Sequence, residues 1–190
     1  MLYMRDTRRH SRLGLAMLLA AVCVAAGPAR AETPRAKYVF LLIGDGMGAV
    51  QRSAAEYAAN DRDGRSGGKP VRPLWMNDLP VAGMCMTHSA DSRVTDSAAA
   101  GTAMACGVKA SNGVISMDRR HRPLESLAEL ARSLGWKVGI VSSVSIDHAT
   151  PAVFYAHQPE RSSYYEIACQ LPASGFDYFG GGAAKGDQDK

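Results

Sequence analysis

The stretch "PLESLAELARSLGWKVGIVSS", Pro123–Ser143, changes its periodicity part-way along. Pro123–Gly135 opens on Pro, repeats apolar residues at helical spacing and stops at Gly, the punctuation of a helix. Trp136–Ser143 follows as a short run that predicts a strand. Upstream, "KYVFLLIGDGMG" carries the apolar run Tyr38–Ile43, which ends abruptly at Gly44-Asp45-Gly46. Such a run predicts a buried strand, the central one of a mostly parallel sheet. Between these stretches the composition predicts a helix over Ala49–Asn60, a polar glycine-rich loop over Asp61–Lys69 and a short strand over Val81–His88. The last residues, "FDYFGGGAAKGDQDK", read as a strand running into a glycine-rich turn. Strand, helix and strand at these lengths predict a βαβ unit. The fold class that follows is α/β, a three-layer sandwich with a mostly parallel central sheet and helices on both faces.

Charge narrows the class of partner. The chain has 22 basic and 18 acidic residues, and its formal charge is +4. Five of the basic residues (Arg5, Arg8, Arg9, Arg12 and Arg30) lie in residues 1–31 with only Asp6 opposing them, so the rest of the chain is neutral. No basic face is left to argue for nucleic acid. The same 31 residues have the layout of a secretory signal: an Arg-rich start, the apolar run Leu13–Ala26, then Ala29-Arg30-Ala31 before Glu32. That run is shorter than the roughly 20 residues that span a bilayer, which argues against a permanent anchor. "TRRHSRL" partly resembles a twin-arginine export signal, and Cys23 after Val22 fits a lipoprotein poorly. The expectation is a secreted or periplasmic protein, with residues 1–31 removed and 32–190 forming the catalytic segment. Export would leave Cys85, Cys106 and Cys169, an odd number with no zinc-ligand spacing, and Cys106 reads as a buried structural thiol.

In parallel sheets ligands collect beyond the carboxyl ends of the strands. Asp45 stands at one such end, although an Asp between two glycines also serves an ordinary turn. Asp147, His148 and Thr150 stand just past another, so two strand ends offer oxygen and imidazole donors to one rim, a pattern that suits a metal. In "VTDSAAAGTAMACGVKASNG", Val94–Gly113, the small residues predict a helix that begins at Ser97 and stops at Gly107, capped by Asp96 or Thr95. Ser97 then meets unpaired N–H groups and the positive end of the helix dipole, a place that favours an anion. A divalent cation on its oxygen would complete a nucleophile; an N-capped, Ala-rich helix that merely packs is the other reading.

"IGDGMG" (Ile43–Gly48), "VTDSAAAGTAMACGVKASNG" and "HATPAVFYAHQPER" (His148–Arg161) resemble three ordered motifs of the alkaline phosphatases, from about Tyr38 to about Gly182. The resemblance implies an alkaline-phosphatase-like fold and a phosphate monoester hydrolase with a phosphoserine intermediate. It implies that Asp45 bridges a catalytic zinc and a neighbouring magnesium, that Ser97 is the nucleophile and contacts that zinc, and that Thr150 is a magnesium ligand. Arg161 matches the arginine that grips two phosphate oxygens, and Asp96 the residue that helps hold it. At His148 some members have aspartate and others histidine; the side chain would coordinate the third metal or orient its waters, with Asp147 as the alternative. The implied cofactors are two Zn2+ and Mg2+, the implied ligands phosphate monoesters and inorganic phosphate, and a homodimer is compatible with the family.

The resemblance also exposes a gap. The family completes its zinc and magnesium sites with Asp, His and Glu residues much later in the chain, and nothing after Arg161 matches them. Residues 32–190 are therefore expected to be the N-terminal part of a longer catalytic domain and to be nearly inactive alone. A phosphodiesterase or sulfatase relative and an inactive fragment are the competing readings; the Asp96-Ser97-Ala98 block with Arg161 favours a monoester. His157 reads as structural, and His88 and His121 as surface residues.

Overall fold

A computed structural model of the chain describes residues 36–65 and 72–186. The expected signal segment, residues 1–31, lies outside them, as do parts of the loop expected over Asp61–Lys69 and of the final turn. Contacts divide the chain into two units, Met1–Leu42 and Ile43–Lys190.

In the first unit, residues 36–42 have no regular secondary structure, and the side chains of Tyr38, Val39, Phe40, Leu41 and Leu42 are exposed. The strand expected over Tyr38–Ile43 is thus not formed, nor is the one expected over Val81–His88, where Met84 is wholly exposed. The reason is common to both. An apolar run records a tendency to be buried, whereas a strand exists only where a neighbour accepts its hydrogen bonds, and none of the described residues does so.

The second unit begins with α1, Ala49–Arg62, two residues longer than expected. Next comes α2, Ser97–Cys106. Its Asp96 cap accepts from the Ala99 N–H at 2.9 Å, and it ends at Gly107, whose φ of 70° is the left-handed conformation that glycine adopts freely. The buried face of α2 is made of Ala98, Ala99, Gly101, Thr102 and Ala105. Small residues there permit close approach to Val153: a Cβ on Gly101 would stand 3.0 Å from a Val153 methyl.

Helix α3 occupies only Leu127–Ser133 of the expected Pro123–Gly135. Ser126 starts it with a capping box, accepting from the Glu129 N–H at 3.1 Å while its own N–H donates to Glu129 Oε2 at 2.7 Å. Pro123 instead bridges Met117, and Leu124 N–H bonds the Ser116 carbonyl. Strand β1, Gly139–Ser145, then leads through α4, Ala149–Ala152, and α5, Tyr164–Ala173, to β2, Tyr178–Gly182. The two strands pair in parallel with Gly139 opposite Tyr178, so their connection is a helical crossover. This is the α/β architecture expected from the sequence, seen over two strands among the described residues. The core lies between α2, α4 and α5, on Ile115, Val153, Tyr155 and Ile167, with Tyr155 edge-on to Phe179 of β2 at 5.3 Å.

His157 is structural, as expected. One ring nitrogen lies 2.9 Å from the Ser116 carbonyl and the other 2.9 Å from Glu129 Oε1. The Glu129 hydrogen bond raises the imidazole pKa above its ordinary 6.5 against the opposing effect of burial. Burial pushes Glu129 up, but bonds from His157 and Ser126 prevail and hold it below its ordinary 4.5. The histidine contribution to stability is complete below pH 6.5 and fades as pH rises through the raised value. The glutamate contribution is complete above pH 4.5 and fades as pH falls through the lowered one. Glu129→Gln keeps a capping-box residue but removes the charge. The difference in Tm between wild type and this variant is expected to be greatest between pH 4.5 and 6.5 and to shrink at alkaline pH; a difference independent of pH would contradict the pairing.

Candidate functional site

Asp45 sits in the turn that follows the apolar run, where Gly46 takes a φ of 67° and Met47 N–H closes on the Gly44 carbonyl. Its two carboxylate oxygens face different partners. Oδ1 accepts from Ser97 Oγ at 3.1 Å and Oδ2 from Thr150 Oγ1 at 2.6 Å. The Thr150 bond lowers the Asp45 pKa most; burial opposes it, and the Ser97 hydroxyl, His148 and Arg161 add to the lowering. Asp45 is therefore an anion joining two hydroxyls from distant helices: Ser97 is the first residue of α2 and Thr150 the second of α4.

Arg161 is placed from the other side. Its Nη1 donates to Asp96 Oδ2 at 3.0 Å, an oxygen that also accepts from the Gly113 N–H at 3.1 Å. Its Nη2 lies 3.5 Å from His148 Nε2. Burial lowers the His148 pKa, and the positive charges of Arg161 and Lys185 lower it further against Asp45 and Asp147. A neutral imidazole at pH 7 follows, and its buried Nδ1 has no partner among the described residues. Asp147 is wholly buried, with Oδ2 accepting from the backbone N–H groups of Lys185 and Gly186. It ties down the segment after β2, the structural use of a carboxylate that the sequence left open as a metal ligand.

Six residues named from the sequence fall into two groups held by contacts of 3.5 Å or less, Asp45 with Ser97 and Thr150, and Arg161 with Asp96 and His148, joined where Asp96 precedes Ser97 in the chain. Asp45, Thr87, Asp96, Ser97, Met104 and Thr150 line one cavity of about 380 Å³. His88 and His121 are exposed, as expected. Cys106 is half-buried, its thiol pKa raised by burial, and Cys85 and Cys169 are exposed; none of the three forms a disulfide. Sequence reading missed Asp91 and Asn112, which brace the segment before Ser97. The only local signal was the Asn112-Gly113 pair, which marks a turn.

The donors fit a cation in kind. An anionic carboxylate, two hydroxyls and an unpartnered imidazole nitrogen are oxygen and nitrogen ligands suited to Mg2+ or Zn2+. They fit it in part, since among the described residues no three His, Cys, Asp or Glu side chains gather into a complete ligand set.

Known proteins resemble this chain in sequence and in fold. The alkaline phosphatase family profile matches residues 36–181. Alkaline phosphatase 4 of Bacillus subtilis is 40% identical, over 68% of this chain and 28% of its own length. Streptomycin-6-phosphate phosphatase of Streptomyces griseus is 39% identical, over 87% of this chain and 36% of its own. The crystal structure of a cold-active alkaline phosphatase from Shewanella sp. superposes with a TM-score of 0.65 at 35% identity, covering 72% of this chain and 33% of that one. A His-to-Glu variant of TAB5 alkaline phosphatase, with Mg bound in its M3 site, gives 0.55 at 33% identity over 64% of this chain and 34% of that one. The chain spans about a third of the length of the proteins it matches. With the family profile covering most of the chain and the α/β fold shared, this chain belongs to the alkaline phosphatase family.

Proposed function

We propose that the whole protein hydrolyses phosphate monoesters through a covalent phosphoserine on Ser97. The observation that carries the reading is Asp45 joining Ser97 and Thr150 while Arg161 is braced on Asp96, the neighbour of Ser97. The Ser97 hydroxyl donates to Asp45, and this bond orients the oxygen lone pairs toward phosphorus. The Ser97 Oγ–P bond forms as the ester P–O bond breaks; the serine proton is lost to solvent, and the electron pair departs with the alcohol oxygen, which takes up a proton from solvent. Water then attacks the same phosphorus, returns Ser97 to a hydroxyl and releases inorganic phosphate. The Arg161 guanidinium, with donors in a fixed fork, holds two phosphate oxygens throughout.

Asp45, Ser97, Thr150 and His148 would contribute ligands to Zn2+ and Mg2+, completed by residues beyond those described. When bound, these ions offset negative charge on the attacking and leaving oxygens. Residues 1–31 are read as an export signal; among the described residues no helix is long and apolar enough to cross a membrane.

The whole protein loaded with Zn2+ and Mg2+ is expected to turn over p-nitrophenyl phosphate. Chelation with EDTA should abolish that turnover and the two metals should restore it. Turnover that survives metal removal would refute the metal-dependent reading.

A further inference from the structure

We propose that Asn112 is a positioning residue for the Arg161 guanidinium, acting through Asp96; the proposal rests on the phosphomonoesterase reading above. Asn112 is exposed, yet its side chain clasps the segment that leads into α2. Its Oδ1 accepts from the Asp96 N–H at 3.1 Å and its Nδ2 donates to the Val94 carbonyl at 3.0 Å. That segment has no regular secondary structure, so this amide supplies the two backbone bonds that a neighbouring strand would otherwise give.

Asn112 is itself anchored. Its backbone N–H donates to Asp91 Oδ1 at 3.0 Å, and Ser89 Oγ donates to the same oxygen at 2.9 Å. These bonds hold the Asp91 carboxyl below the usual carboxylate range, so the anchor is an anion at neutral pH. The next residue, Gly113, has a φ of 86°, a conformation that side chains rarely adopt. In that conformation its N–H reaches Asp96 Oδ2, the oxygen on which Arg161 Nη1 rests. The Asn112-Gly113 turn thus fixes the main chain of Asp96 through one residue and its carboxylate through the other. A carboxylate held at both ends presents Arg161 with one docking angle, and the remaining guanidinium donors are left for phosphate.

The test is a double-mutant cycle in the metal-loaded whole protein, with p-nitrophenyl phosphate as substrate and inorganic phosphate as inhibitor. Asn112→Ala is expected to raise the phosphate Ki and the substrate KM together by roughly tenfold, the scale of one or two hydrogen bonds. Combined with Asp96→Ala, the same change should have no further effect, because no carboxylate remains to be oriented. Asn112→Asp keeps the shape and the acceptor but loses the donor to Val94; its Ki should fall between wild type and Asn112→Ala, and it serves if the alanine variant does not fold. A wild type that turns over while both variants keep its Ki would overturn the positioning role alone. An equal rise in Ki with and without Asp96 would also overturn it, since the effect would not run through that carboxylate. A wild type without turnover would overturn the phosphomonoesterase reading and this inference with it.

Discussion

Ser97→Ala in the metal-loaded whole protein is expected to lower turnover of p-nitrophenyl phosphate by ~10³-fold or more, the scale on which removal of a nucleophile falls. The variant should fold normally. The cap of α2 is made by Asp96 on the Ala99 N–H, not by Ser97, and alanine is the better helix former. Arg161 also keeps its Asp96 support, so inorganic phosphate should still bind. The result sought is therefore a loss of kcat with a phosphate Ki near that of wild type. Trapping with labelled phosphate gives a second readout: wild type should carry label on Ser97 and the variant none. Label on the variant, or unchanged kinetics, would reject Ser97 as the nucleophile.

Asp45→Asn is the second large effect. The amide has the same shape, but it removes the negative charge and turns one acceptor into a donor facing a hydroxyl. One of Ser97 and Thr150 must then rotate or lose its partner. If Asp45 bridges two metals, the loss of affinity should exceed the 10–100-fold change typical of removing an outer partner, so at least ~10² is expected. Metal content after dialysis, together with the dependence of turnover on free Zn2+ and Mg2+, measures it. Wild-type metal content in the variant would exclude Asp45 as a ligand.

The parts of this molecule that were legible in its sequence are those decided over a few residues. The start of α2 at Ser97, its stop at Gly107 and the helix-to-strand switch before β1 all follow from caps and glycines. Ser126 as the true start of α3 is the same kind of signal, outweighed in the reading by Pro123. Asp45, Ser97, Thr150 and Arg161 could be named because a glycine turn after an apolar run, a strand end, a helix start and the family motifs mark them. The pairing of Glu129 with His157 spans 28 residues, and no short pattern announces it. Asn112 is harder still, because as sequence it is only half of an Asn-Gly turn, and its reach back to Val94 and Asp96 is a property of the folded chain. Tyr38–Ile43 misleads for the opposite reason: its composition is strongly apolar, but what makes a strand is the chain beside it.

The double grip of Asp45 has a consequence for how the site comes into being. Ser97 is 52 residues from it and Thr150 is 105 residues from it, so neither bond can form before long loops have closed. Closure of that kind costs entropy before it returns any contact, and structure dominated by distant contacts forms slowly. The helix start that holds Ser97 is a local structure, but the acid beside it arrives only when the loop of 52 residues between them has closed. On the proposed mechanism the site is therefore completed late, and gain of activity by the whole protein on refolding is expected to lag behind gain of helix.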